Sequence, residues 1–174
     1  MKRAKNERTE LLGPSGSTHC DLVARAGRWL KSLGCSAVLK EMTAYTYNGE
    51  TPDAIGWKSN QSILVEVKVS RADFLRDKKK RFRQHIKGMG SWRFYLVPKG
   101  LLNPDECPEG WGIYEAHGRQ VRHFAGVDYR NAVSPPFLPC LRSERAMLVS
   151  AVRRLSNTEL SGEAAKPQIT KDNQ

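Results

Sequence analysis

The sequence predicts an α/β fold: an αβββαβ core whose mixed central sheet is flanked by helices, with a hairpin and a helix added towards the C-terminus. Three observations predict it. Segments of helical period and short β-branched or aromatic runs follow one another as helix, three strands, helix, strand. The third strand-like run, SILVEVKVS (62–70), is apolar almost throughout, as suits a central strand covered on both faces. A helix separates it from the next run, WRFYLVP (92–98), and a helical crossover makes such a pair parallel.

The elements follow in order. Residues 1–16 are polar, with glycine and proline, and read as a loose basic arm. Ser17 and Thr18 can cap a helix, with Asp21 favourably placed in its first turn. That helix carries Leu22, Ala26, Trp29, Leu30 and Leu33 at helical spacing, and Gly34 ends it. SAVLKEMTAYTY (36–47) alternates as a strand does, and Asn48-Gly49 is a strong turn signal. DAIGW (53–57) is a short strand, and a turn at 59–61 leads into the central strand. RADFLRDKKKRFRQHIKGMG (71–90) reads as one helix with Phe74, Leu75, Phe82 and Ile86 as its apolar stripe, stopped by Gly88 and Gly90. After WRFYLVP, GIYEA and QVRHFA form a hairpin around His117-Gly118. A proline-bearing connection (126–141) precedes a last helix capped by Ser143. The predicted domain spans 17–156, and 157–174 reads as a disordered tail.

Composition bounds the function. A chain of 174 residues, 39% hydrophobic, can bury one proper core. Its 29 basic against 18 acidic residues give a net charge of +11, which speaks to partners and not to fold. Nucleic acid is the first candidate and an anionic membrane the second. No apolar run approaches the roughly 18 residues that span a bilayer. The basic N-terminal segment lacks the apolar core of a secretory signal, so a cytoplasmic location is expected. Cys20, Cys35, Cys107 and Cys140 form no C-x-x-C pair and are expected to be free thiols.

Glu66 and Lys68 break the apolar run of the central strand. Two apart, they project from the same face. An unpaired buried carboxylate is costly, so Glu66 demands a cation: Lys68 in a structural ion pair, or a metal. Asp53 begins the preceding strand, and a hairpin can bring it alongside. Alone it reads as a turn residue after Pro52. Together, two carboxylates and an ammonium suit a divalent-metal site that activates water against a phosphodiester.

The ordered set of VEVKVSRADFLRDKKKRF, WRFYLVPKGLL and PEGWGIYEA, with Asp53 ahead of it, resembles the PD-(D/E)XK nuclease superfamily over residues 18–117. The closest likeness is to MmcB-type DNA repair proteins of bacteria and phages. The E-x-K triplet is weak by itself; its order with Ser70, Asp73 and Phe74 is more specific. The resemblance implies the restriction-endonuclease-like fold and a Mg²⁺- or Mn²⁺-dependent deoxyribonuclease, serving DNA repair, recombination or phage DNA processing. Its metal ligands would be Asp53, Glu66 and the backbone carbonyl of Val67. Lys68 would orient or help deprotonate the attacking water, its pKa pulled down by burial or up by the carboxylates. Glu41 matches an acidic position of the pattern and would bind a second metal or order a water, unless it is simply a solvent-facing strand residue. Many members carry a glutamate on the first helix; here that helix offers His19 and Asp21. A binding module that keeps the fold without the chemistry is therefore the alternative, and metal affinity separates the two.

Ser70 and Asp73 read as a helix cap and its capping-box acid. Arg71, Arg76, Lys78, Lys79, Lys80, Arg81, Arg83 and Lys87 form the densest charge in the chain, diluted by Asp73 and Asp77 alone. Such a run is commonly a solvated face, but beside a metal site it reads as a surface that tracks phosphates. Trp92, Phe94 and Tyr95 could stack on bases, though strand aromatics usually belong to the core. DNA is the expected partner, with RNA admitted. Enzymes that cut both strands often pair, so a homodimer is carried as an expectation.

Overall fold

The computed structural model describes residues 18–80 and 88–160. Among these residues three α-helices, α1 (His19–Ser32), α2 (Arg71–Lys78) and α3 (Leu141–Leu160), flank a six-stranded sheet. The strands are β1 (Ala37–Lys40), β2 (Ala54–Lys58), β3 (Gln61–Val67), β4 (Trp92–Pro98), β5 (Gly112–His117) and β6 (Gln120–Gly126), and they lie in that order across the sheet. β3–β4 and β4–β5 are parallel and the other pairs antiparallel. The expected αβββαβ order and mixed sheet are therefore present, with the added hairpin and helix.

Alternation along β3 divides the core. Ile63, Val65 and Val67 pack with Leu22, Ala26, Trp29 and Leu30 of α1. Leu64 faces the opposite way, towards Phe74 of α2, Tyr95 and Met147 of α3. Glu66 shares the parity of Leu64, so it projects to the α2 side. Trp92, Phe94 and Tyr95 are all buried, which assigns the strand aromatics to packing. Trp111 stacks on Tyr95 with ring centres 4.5 Å apart.

Thr18 and Asp21 form a reciprocal capping box at the start of α1, a firmer cap than the sequence indicated. Other boundaries differ from expectation. The first strand stops at Lys40 because Glu41 takes a left-handed backbone (φ 45°), which L-residues rarely adopt inside a strand. The central strand stops at Val67, and Lys68 retains one sheet-like bond from its N–H to the Leu96 carbonyl (3.2 Å). The helix expected over 71–90 ends at Lys78, where four successive bases (78–81) bring like charges together. Phe82 and Ile86 lie outside the described residues, as do 1–16. The last helix begins at Leu141, so Ser143 is not its cap. Ser143 is fully buried, and its hydroxyl bonds the Asn48 side chain (2.9 Å). Residues 157–160 continue α3 rather than opening a tail, and 161–174 lie outside the described residues.

Glu144 fastens α3 to the sheet. It is buried and accepts from Ser62 Oγ (2.7 Å), the Gly90 N–H (2.8 Å) and Trp57 Nε1 (3.1 Å). Three donors on a buried carboxylate make its burial tolerable.

Candidate active site

The β2–β3 register sets the site. Ala54 pairs with Val65, which puts Asp53 one step beyond, beside Glu66 and Val67. Asp53 Oδ2 accepts the Val67 N–H at 2.7 Å, which fixes the carboxylate against the end of β3. Glu66 is buried, and its Oε2 meets Lys68 Nζ at 3.1 Å. Asp53, Glu66 and Lys68 thus converge at the C-terminal end of β3.

Lys68 is nearly buried and faces four carboxylates: Glu66 at 3.1 Å, Asp77 at 3.5 Å, Asp53 at 3.8 Å and Asp73 at 4.0 Å. Burial alone would lower its pKa, but the charges of Glu66, Asp77, Asp53 and Asp73 outweigh burial and raise it. Lys68 is therefore a held ammonium, a donor and counter-charge rather than a proton acceptor. Burial alone would likewise raise Asp53. The contact with His19, the Lys68 charge and the Val67 N–H hold it below the usual carboxylate range.

Asp77 was missed by sequence reasoning, which counted it as a diluting acid in a basic run. It is buried, accepts from the Tyr95 hydroxyl (3.0 Å) and pairs with Lys80 (2.8 Å) as well as Lys68. The signal was available: Asp77 follows Phe74 by three residues, on the same helix face. Asp73 does not close a capping box. Ser70 caps α2 by accepting the Asp73 N–H (3.2 Å), while the Asp73 carboxylate turns to Lys68 and to Arg76 (3.6 Å).

His19 joins the site from α1. Its Nε2 is 3.4 Å from Asp53 Oδ1 and its Nδ1 is 3.6 Å from Glu41 Oε1. The Asp53 carboxylate raises the His19 pKa against the opposing effect of burial. Glu41 is half-exposed just past β1, not within the strand, and reaches the site through His19.

Among the described residues no three His, Cys, Asp or Glu side chains stand together as a ready metal-binding group. The Lys68 ammonium lies between the carboxylates that would share an ion. The donor chemistry still suits Mg²⁺, which takes one or two protein carboxylates and completes its shell with water and substrate oxygens. Asp53 and Glu66 offer that pair, with the Val67 carbonyl on the same strand end.

The described bases of the cluster are exposed, and most of them are engaged. Arg71 pairs with Glu106 (2.7 Å) and Lys78 donates to the Glu106 carbonyl (3.0 Å). Arg76 and Lys80 meet the acids of α2, Asp73 and Asp77. Lys79 is exposed; Arg81, Arg83 and Lys87 lie outside the described residues.

No family model matches the chain, and no curated protein matches it. A solved protein of unknown function from Silicibacter pomeroyi is similar in fold, at 20% identity and a TM-score of 0.56. The similarity covers 84% of this chain and 94% of that one. At that identity the likeness concerns the fold alone. No helix among the described residues is long and apolar enough to cross a membrane.

Proposed function

We propose that the chain is a metal-dependent phosphodiester hydrolase acting on DNA, of the PD-(D/E)XK kind. The observation that carries the reading is the meeting of Asp53, Glu66 and Lys68 at one strand end, with Lys68 Nζ 3.1 Å from Glu66 and 3.8 Å from Asp53. Asp53, Glu66 and the Val67 carbonyl would hold Mg²⁺ or Mn²⁺. A bound ion of this type lowers the pKa of water and neutralises phosphate charge. Lys68 donates to the attacking water or to a phosphate oxygen and offsets charge that develops there. Asp77 and Asp73 position Lys68. His19 fixes the orientation of Asp53 and links it to Glu41, which would order a further water. DNA repair, recombination and phage DNA processing are the settings that this activity fits.

A second reading has one observation in its favour. Lys68 is already neutralised by carboxylates, as a purely structural ion-pair cluster would have it. The chain would then bind nucleic acid without cutting it. Manganese binding, followed by electron paramagnetic resonance, separates the two. The hydrolase reading expects saturable binding that Asp53→Asn and Glu66→Gln each abolish. No saturable binding, or binding indifferent to both changes, contradicts it.

A further inference from the structure

A second basic surface lies away from α2, gathered from arginines of three segments. An open groove of about 590 Å³ runs between α1 and the β5–β6 hairpin. Arg25 and Arg28 line it from α1, Arg119 and Arg122 from the hairpin, and Arg130 from the connection after β6. Among the described residues no Asp or Glu lines it. Among the described residues none of these five arginines makes an ion pair. The Arg25 Nε is buried with no hydrogen-bond partner among them. The Arg122 guanidinium is steered by an uncharged group, Gln120 Oε1, at 3.0 and 2.7 Å. Converging like charges raise the local potential and draw in a polyanion.

A recess of about 180 Å³ adjoins the groove and shares Trp29, Val121, Arg122 and Arg130 with it. Tyr114, His123 and Tyr129 contribute aromatic rings to its wall. Among the described residues the one acid that lines it, Asp128, already accepts from the Tyr114 hydroxyl (3.0 Å), the Arg130 N–H (3.1 Å) and Asn131 Nδ2 (2.7 Å). An arginine track beside an aromatic recess is what a single strand needs: phosphates on the cations, a base against rings. A duplex keeps its bases stacked and can fill such a recess only by extruding one.

The topology gives the groove its place. β3, β4 and β5 are parallel, so their C-terminal ends share one edge of the sheet. Lys68 follows β3 at that edge, and the β5–β6 turn at Gly118 projects from it too.

We propose that the α1–hairpin groove is a track for single-stranded nucleic acid, leading towards the sheet edge that carries Asp53, Glu66 and Lys68. The proposal rests on the nucleic-acid side of the reading above, not on its chemistry. The test is fluorescence anisotropy in chelator with labelled oligo-dT, oligo-U and a blunt duplex, across a salt series. Wild type should bind one or both single strands more tightly than the duplex. Arg28→Ala with Arg122→Ala should weaken that binding about tenfold and flatten the salt slope by roughly 1.4, at about 0.7 per lost phosphate contact. Arg145→Ala with Arg153→Ala removes the same net charge on α3, away from the groove and that edge, and should leave binding close to wild type. Both pairs lie on exposed side chains, and thermal melting checks that they fold. Equal loss in both pairs, no loss in the groove pair, or preference for duplex overturns the proposal. Binding that depends on the groove, together with no cleavage of any substrate, would overturn the hydrolase reading and leave the groove standing.

Discussion

Lys68 decides the character of the site. One ammonium stands among four carboxylates, so its removal leaves acids facing each other with little water between them. Lys68→Met should destabilise the fold by about 3–5 kcal/mol, the usual loss when one partner of a buried ion pair is removed. Urea denaturation in chelator measures it; a loss below about 1 kcal/mol would mean that the carboxylates are solvated and the cluster loose. His19 and Asp53 contribute with opposite pH signs. The folded pKa of His19 is raised, so its stabilisation is complete below its ordinary value and fades as pH rises through the raised one. The folded pKa of Asp53 is depressed, so its share is present above the ordinary carboxylate value and fades as pH falls through the depressed one. The stability gap between wild type and His19→Asn should therefore narrow as pH rises past the raised His19 value. A constant gap over that window would show that His19 and Asp53 are not coupled. Cysteine reactivity follows burial in the same way. Burial pushes the Cys107 thiol up to about 11, and Cys20 is exposed. Iodoacetamide on the native protein near neutral pH should label Cys20 and spare Cys107, read by peptide mass spectrometry.

Among the elements, α2 and α3 matter most, and neither was fully legible in the sequence. The apolar stripe and the stopping glycines predicted one helix over 71–90, yet its start at Ser70 was readable and its end at Lys78 was not. Caps are local chemistry between neighbours. The end of α2 lies in a run of bases whose partners come from elsewhere in the fold, as the Glu106 carbonyl does for Lys78. For α3 the period was visible but its anchor was not, because the partners of Glu144 come from residues more than fifty positions away. Glu144→Leu should strand the donors of Ser62, Trp57 and Gly90 and cost about 3 kcal/mol or more. A urea midpoint unchanged from wild type would show that those donors find other acceptors.

Over the whole molecule, the pairing of β2 with β3 and the site triad were readable because both follow from period-two alternation and a hairpin register. Glu66 and Lys68 stood out as charges in an apolar strand, and the register of β2 against β3 then placed Asp53 beside them. Asp77 and the arginine groove were hidden for the opposite reason. Their members are scattered through the chain, on α1, α2, the hairpin and the connection beyond it, and only folding gathers them. Net charge predicted a polyanion partner but pointed to the densest run, from α2 onward, where Arg71, Arg76, Lys78 and Lys80 have partners within the chain. The central claim is that Asp53, Glu66 and Lys68 form one metal-dependent hydrolytic site. The measurement that tests it most directly is cleavage of labelled supercoiled plasmid, single-stranded DNA, a branched junction and RNA in Mg²⁺, Mn²⁺ or chelator. Wild type runs beside Asp53→Ala and Lys68→Ala, each checked for folding. The account predicts cutting of a DNA substrate that requires metal and is lost in both variants. No cutting of any substrate by wild type, or cutting that survives either change, would contradict it.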